Sequence, residues 1–252
     1  MNTTDKTLFL AWQDRARSHR WYPVGRLDAR LSDSYFRFRY THGAEQAREG
    51  SGFQPLYSFP AFDRAYESGE LFPLFKNRVL SAERADFGEY LVHLGLTPDS
   101  GDPIEILSVD GGYRATDSLE VFPKVERHAD GGFRCRFFLH GWRHVTQPAQ
   151  ERISQLRLGE QLVAAIEINN PATMLAVQVL TMDYHMIGWT PRYLVSDLIK
   201  AIAQAPSKME AKVLRINPAP APSKQRVLIE FRGHWPEGYE PMSGEEFQPL
   251  VG

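Results

Sequence analysis

Phe137-Phe138-Leu139-His140-Gly141-Trp142-Arg143-His144 opens the stretch on which the reading of this chain turns. After a polar insert it continues as Leu158-Gly159-Glu160-Gln161-Leu162, Glu167-Ile168-Asn169-Asn170-Pro171, Ala176-Val177-Gln178-Val179 and Ile187-Gly188-Trp189-Thr190-Pro191-Arg192. Short apolar runs bounded by Gly, Asn and Pro are the pattern of strands joined by turns. Strands are expected at Phe137–Leu139, Gln161–Glu167, Leu175–Leu180 and Tyr184–Trp189. Pro191 then opens a helix, because its fixed φ and missing N–H suit a first turn, and Leu194, Leu198, Ile199 and Ile202 form one apolar stripe on it. Lys212–Ile216 and Gln225–Phe231, separated by a stiff Pro-rich connection at 217–222, supply a last pair of strands that would complete a small barrel over 124–235.

The first third alternates differently. In Tyr35-Phe36-Arg37-Phe38-Arg39-Tyr40 the residues Tyr35, Arg37 and Arg39 face one way and Phe36, Phe38 and Tyr40 the other, as on a strand with one buried face. With 7–12 and 22–27 this gives a small antiparallel sheet. Helices are expected at Leu71–Val79 and Glu83–Leu94, the second with Phe87, Leu91 and Leu94 at helical spacing and Gly95 as its stop. Pro103–Leu107 and Glu120–Pro123 read as strands that close a module at about residue 123. The Gly111-Gly112 and Gly131-Gly132 pairs, each following an Asp, read as hairpin turns. The expected class is α+β: a small antiparallel sheet with two helices, then a compact barrel-like domain with one or two helices, then an acidic tail over 236–252.

Composition sets the limits. With 252 residues, 42% of them apolar, the chain can bury a substantial core. It has no run of eighteen apolar residues and no basic segment leading into an apolar one at its start, so a cytoplasmic protein without a membrane span is expected. A single cysteine, Cys135, can form neither an internal disulfide nor a Cys-based zinc site, and within an alternating run it reads as a small strand residue. The net charge of −2 conceals a division: residues 124–232 hold fifteen Lys and Arg against nine Asp and Glu, while the first 123 hold fourteen against eighteen. The basic middle suits a polyanionic partner, and a solvated mixed-charge surface gives the same count.

The order of elements from Phe137 to Ile202 resembles the HIRAN domain. That resemblance implies a pocket for ends of single-stranded DNA. In the family the Asn-Pro element usually continues Tyr-Asp, a ring to stack on a base and a carboxylate for a terminal hydroxyl; this chain has Ala172-Thr173 there. Arg143 matches the family's Gly-x-Arg-aromatic element, with His144 in the aromatic place, and Asn169, Asn170 and Arg192 match as well. Guanidinium and amide donors suit phosphates and base edges. The expected nucleic-acid contacts are therefore Arg143, His144, Asn169, Asn170, Trp189 and Arg192. Each has a structural alternative: the Asn-Asn-Pro run is a good turn in any fold, the arginines can be surface ion-pair residues, and Trp142 and Trp189 can be buried barrel residues. His140 and His144 stand four apart, but at a strand end that spacing does not make a metal pair, and no metal or cofactor is expected.

Residues 7–123 carry a second resemblance. Val24-Gly25-Arg26-Leu27, Tyr35–Tyr40, Pro55-Leu56-Tyr57-Ser58-Phe59-Pro60, Leu71–Leu80, Leu94-Gly95-Leu96 and Pro103–Leu107 look like the N-terminal subdomain of HipA-type kinases, which packs on a kinase core and helps contact a DNA-binding antitoxin. No kinase core follows: the chain has no Gly-rich phosphate loop leading to a strand lysine, no His-Arg-Asp-like loop and no Asp-Phe-Gly-like metal site. A Gly-x-Ser-x-Gly elbow is missing too, and no catalytic residue is assigned. Two functions follow as expectations. One is a non-enzymatic protein that binds single-stranded DNA or DNA ends through its HIRAN-like domain, with the first module making protein contacts. The alternative is a regulatory, antitoxin-like subunit whose HipA-like module docks on a separate kinase core or repressor through Leu71–Leu80 or Tyr35–Tyr40.

Overall fold

The computed structural model describes residues 5–98 and 100–252. Among these the chain forms two compact units: the first gathers residues up to 88, 98–124 and 242–252, and the second 89–97 and 125–241. The class is α+β, with one antiparallel sheet in each unit.

In the first unit the sheet has five strands. They are β1 (Asp5–Gln13), β2 (Trp21–Arg30), β3 (Tyr35–Tyr40), β4 (Tyr66–Ser68) and β5 (Leu119–Pro123), in the order β4-β3-β2-β1-β5. The alternation of β3 appears as expected: Phe36, Phe38 and Tyr40 are buried while Tyr35, Arg37 and Arg39 line the opposite face. Phe38 stacks on Phe59 with ring centroids 3.9 Å apart and touches Gly25, where a Cβ would come within 2.5 Å of its ring. The buried Tyr40 hydroxyl donates to the Phe59 carbonyl at 2.7 Å and accepts from the Leu56 amide at 2.7 Å, which fixes the 55–60 loop over the core without an unsatisfied polar group.

The helices of this unit depart more from expectation. An unanticipated α1 (His42–Ser51) buries only Gly43, Ala44 and Ala47, too small an apolar face to announce itself. The helix expected at Leu71–Val79 is the single turn α2 (Pro73–Lys76), started by its proline and ended at Asn77. α3 (Phe87–His93) is shorter than expected but ends before Gly95 at φ +68° as read, and from Glu89 onward it belongs to the second unit. Pro103–Leu107 is a helix, not a strand: α4 (Pro103–Asp110) starts on Pro103, and the Asp102 carboxylate accepts from the Ile104 amide at 2.8 Å as its cap. Gly111 is accordingly the left-handed terminus of α4 and not a hairpin turn. The last residues, part of the expected tail, pack on this unit, where Leu250 donates to the Tyr40 carbonyl and His42 to that of Gln248.

In the second unit six strands run in the order β6-β11-β10-β7-β8-β9, all antiparallel: β6 (Gly132–Phe138), β7 (Gln161–Asn170), β8 (Met174–Thr181), β9 (Met186–Trp189), β10 (Glu210–Ile216) and β11 (Val227–His234). Between β6 and β7 the polar insert contains α5 (Gln147–Ser154), and α6 (Arg192–Gln204) follows Pro191 and buries Leu194, Leu198 and Ala201. The sheet is not the closed barrel that was expected. β9 is four residues long and ends at Trp189, two residues before Pro191, and β6 gives way to the left-handed Gly141, so the two edges meet in a single residue pair, His140 with Trp189. β7 and β10 share only two pairs, Ala211–Leu162 and Lys212–Gln161.

Gly141 sits under the Trp189 ring at φ +67°, and a Cβ there would lie 2.5 Å from ring atom Cε3. Gly141→Ala therefore combines a left-handed backbone with a clash and is expected to cost roughly 3 kcal/mol in urea unfolding. A loss within about 0.5 kcal/mol, the range of ordinary surface substitutions, would show that the sheet edges are not held this way.

Candidate nucleic-acid interface

The His140–Trp189 pair organises the expected binding residues. The His140 amide donates to the Trp189 carbonyl at 3.0 Å, and the Trp189 amide returns the bond at 2.9 Å. Trp189 is half-buried, and its indole Nε1 donates to Glu167 Oε2 at 2.6 Å. Asn170 Nδ2 donates to the same oxygen at 2.9 Å. The Glu167 carboxyl is raised by its partial desolvation, but hydrogen bonds from Trp189, Asn170 and Gln178 outweigh this and hold it below the usual carboxylate range.

Asn170 has at most one amide hydrogen left to offer a ligand. It is buried, and its Oδ1 accepts from the amides of Ala172 (3.0 Å) and Thr173 (3.1 Å) and from Thr173 Oγ1 (3.0 Å). This is an Asx turn linking β7 to β8. The two substituted positions are thus occupied by a small tight turn that presents neither ring nor carboxylate. Asn169, exposed at φ +60°, contributes the left-handed step into it.

The basic residues gather on the other side of the pair. His140 is exposed at the end of β6, while neighbouring protein desolvates its ring. Burial first, then the charges of Lys224 and Arg192, push its imidazole down to about 4, so it is neutral near pH 7. Arg192 heads α6; its guanidinium is pushed down by partial burial alone, and among the described residues no carboxylate or hydrogen-bond acceptor pairs with it. Trp142 donates from Nε1 to the Ser223 carbonyl at 2.8 Å, and the Arg226 guanidinium lies 5.6 Å from its ring centroid. Arg143 and His144 are exposed on the short turn 142–144. The structure thus brings Arg192 and Trp189 to the His140 strand end, places Arg143 and His144 on the adjoining turn, and turns Asn170 inward.

Three participants escaped the sequence reading. Glu167 stood among the quoted residues, but its role depends on β7, β8 and β9 lying side by side. Lys224 and Arg226 follow a proline-rich loop 80 residues away in sequence, and no local pattern connects them to His140. Among the described residues no group of three His, Cys, Asp or Glu could hold a metal ion, and no helix is long and apolar enough to cross a membrane. Cys135 is buried and its thiol is pushed up to about 12 by desolvation, in keeping with a packing role.

No protein-family model matches the chain, and no curated protein matches it. A solved structure of a protein from Lactobacillus plantarum is similar over 41% of this chain and 100% of its own, at 18% identity and a TM-score of 0.30, a likeness too slight to carry an argument.

The surroundings of the imidazole are measurable. Its protonated form is opposed by burial and by two cations, so an NMR titration of His140 is expected to have a midpoint near 4, well below the usual 6.5. Because the folded value is the lower one, the contribution to stability is full above about pH 6.5 and declines as pH falls towards 4. Arg192→Ala removes part of the repulsion and should move the midpoint upward. A midpoint of 6.5 in both proteins would contradict both the desolvation of the ring and the nearness of the cations.

Proposed function

We propose that this protein is a non-enzymatic binder of single-stranded DNA that takes the strand at the recess formed by His140, Arg192, Lys224 and the 142–144 turn, while the first unit makes protein contacts. The observation that supports this reading is that Lys224 and Arg192 both stand close enough to His140 to oppose its protonation, with Arg192 unpaired by any carboxylate among the described residues. A like-charged cluster of this kind is unfavourable by itself and is relieved by an anion. The half-buried indoles of Trp142 and Trp189 supply flat surfaces beside it, and base–aromatic stacking is tolerant of sequence. The order of elements resembles the HIRAN domain, which agrees with this reading. End recognition is not part of it, because the Asn170–Thr173 turn lacks the stacking ring and the carboxylate.

The second reading, a subunit that docks on a kinase core or repressor, has one observation in its favour. The outer face of β1, β2 and β3 holds a recess of about 460 Å³ lined by Asp5, Arg26, Asp28, Arg30, Arg37 and Arg39 among others. Its arginines are largely engaged within the unit: Arg26 and Arg39 share Asp28, and Arg37 lies against Glu67. Such a mixed-charge surface suits a protein partner better than a polyanion.

Fluorescence anisotropy with single-stranded DNA, its 3′ end free or blocked, separates the possibilities. The expected result is salt-sensitive binding, equal for both ends and weakened about tenfold by Arg192→Ala, as for loss of one charge-assisted phosphate contact. Absence of binding at low salt would overturn the proposal and favour the docking reading. A loss of affinity on blocking the 3′ end would show that the pocket recognises ends without the Tyr-Asp pair.

A further inference from the structure

Glu230, in the middle of β11, has its side chain 1% exposed, and four cations surround it. Arg232 donates to its Oε1 at 2.8 Å and Arg136 to its Oε2 at 3.0 Å, Lys212 Nζ stands 3.6 Å from Oε1, and Arg134 Nε stands 4.0 Å from Oε2. The register explains the cluster. Glu230 pairs across the sheet with Arg136 on β6 and Lys212 on β10, while Arg232 pairs with Arg134 one step along the same face. The alternate residues Phe133, Cys135, Phe137, Val213, Ile229 and Phe231 are buried on the inner face, so the charged array stands on a packed sheet.

One buried carboxylate needs one compensating charge. Here it has four, and the surplus stays accessible, since the side chains of Arg136, Lys212, Arg232 and Arg134 are 36%, 36%, 47% and 50% exposed. Glu210, opposite Arg232 on β10, makes no ion pair with them among the described residues. Glu230 thus acts as a positioning residue. It holds Arg136 through Nε at 3.0 Å and stands 4.0 Å from Nε of Arg134, and among the described residues it accepts no hydrogen bond from a terminal nitrogen of either guanidinium. Guanidiniums partly exposed on a rigid face are suited to phosphate oxygens.

We infer that this face carries the sugar-phosphate backbone of the same single strand that enters at His140, an inference that rests on the proposed nucleic-acid reading. Successive same-face residues on a strand are about 6.6 Å apart, comparable to the step between phosphates in an extended single strand. β6 leads directly from one place to the other: Arg136 precedes His140 by four residues, about 13 Å of extended chain, within reach of a few nucleotides. The recess would then hold the strand locally, and the Glu230 array would lengthen the footprint through backbone charge without reading sequence.

The test compares fluorescein-labelled dT4 with dT16 on the full chain. Arg134→Gln with Arg232→Gln removes two half-exposed charges and leaves Glu230 paired with Arg136; Lys212→Gln is the second variant should the double one melt early by circular dichroism. The expected result is dT4 affinity within twofold of the parent protein, dT16 affinity reduced fivefold or more, and a dT16 salt slope smaller by about 1.4 for the two lost single-strand contacts. Unchanged dT16 affinity and slope in these variants would overturn the backbone track, even if Arg192→Ala still weakened dT4. Failure of the recess reading looks different: dT4 would be indifferent to Arg192→Ala while dT16 still responded to the β6–β11 charges. If the parent protein bound neither oligonucleotide, both would fall.

Discussion

The amide and carbonyl of His140 exchange hydrogen bonds with those of Trp189, and the arrangement of the strand end around His140 depends on that exchange. It joins the two edges of a six-stranded sheet at one point, brings the Trp189 ring onto Gly141, and holds the start of α6 near the end of β6. A fully paired barrel seam would satisfy every edge group with a neighbour and leave little room for a side-chain recess. Here the meeting is brief because β9 is short and Gly141 turns the chain away. The exposed side of His140, Arg192 and the 142–144 turn are left facing outward around it.

Carboxylates arrange the cations and aromatics throughout the chain. Glu167 holds the Trp189 indole and the Asn170 amide; Glu230 collects four cations on the outer face of β6, β10 and β11; Asp28 binds Arg26 and Arg39 in the first unit. All three are held below the usual carboxylate range although desolvation opposes ionisation, because hydrogen bonds and neighbouring positive charges outweigh it. The consequences differ with stoichiometry. Asp28 takes two arginines within a mixed-charge recess that Asp5 also lines, whereas Glu230 takes four cations, and Arg192 has no carboxylate at all among the described residues. On the proposed reading, those differences set a surface for a protein partner apart from surfaces for a polyanion.

Local chemistry made the strands and turns legible in the sequence, and long-range register hid the rest. The Tyr35–Tyr40 alternation, the Asn-Asn-Pro turn, the Gly95 stop and the helix after Pro191 all depend on a few neighbouring residues. Pro103–Leu107 misled because Ile104, Ile106 and Leu107 fit both periods over so short a run, and the Asp102-Pro103 start signal was the better guide. α1 and α5 escaped because they bury little more than alanines, with a single isoleucine on α5. The expected barrel failed on strand length, which hydrophobic pattern does not encode. Of the residues quoted in advance, Arg143, His144, Trp189 and Arg192 lie at or next to the His140 strand end, while Asn169 lies in the β7–β8 turn. That Asn170 would turn inward, and that Lys224 would act on His140, follows only from pairing strands far apart in sequence.

Ultraviolet cross-linking of dT16 to the full chain, followed by peptide mapping, tests the central claim most directly. The account predicts cross-links in the peptides holding residues 140–144 and 189–192, with further ones along β6 and β11. Cross-links confined to residues before 124, or a pattern unchanged when Arg192 is replaced by Ala, would contradict it.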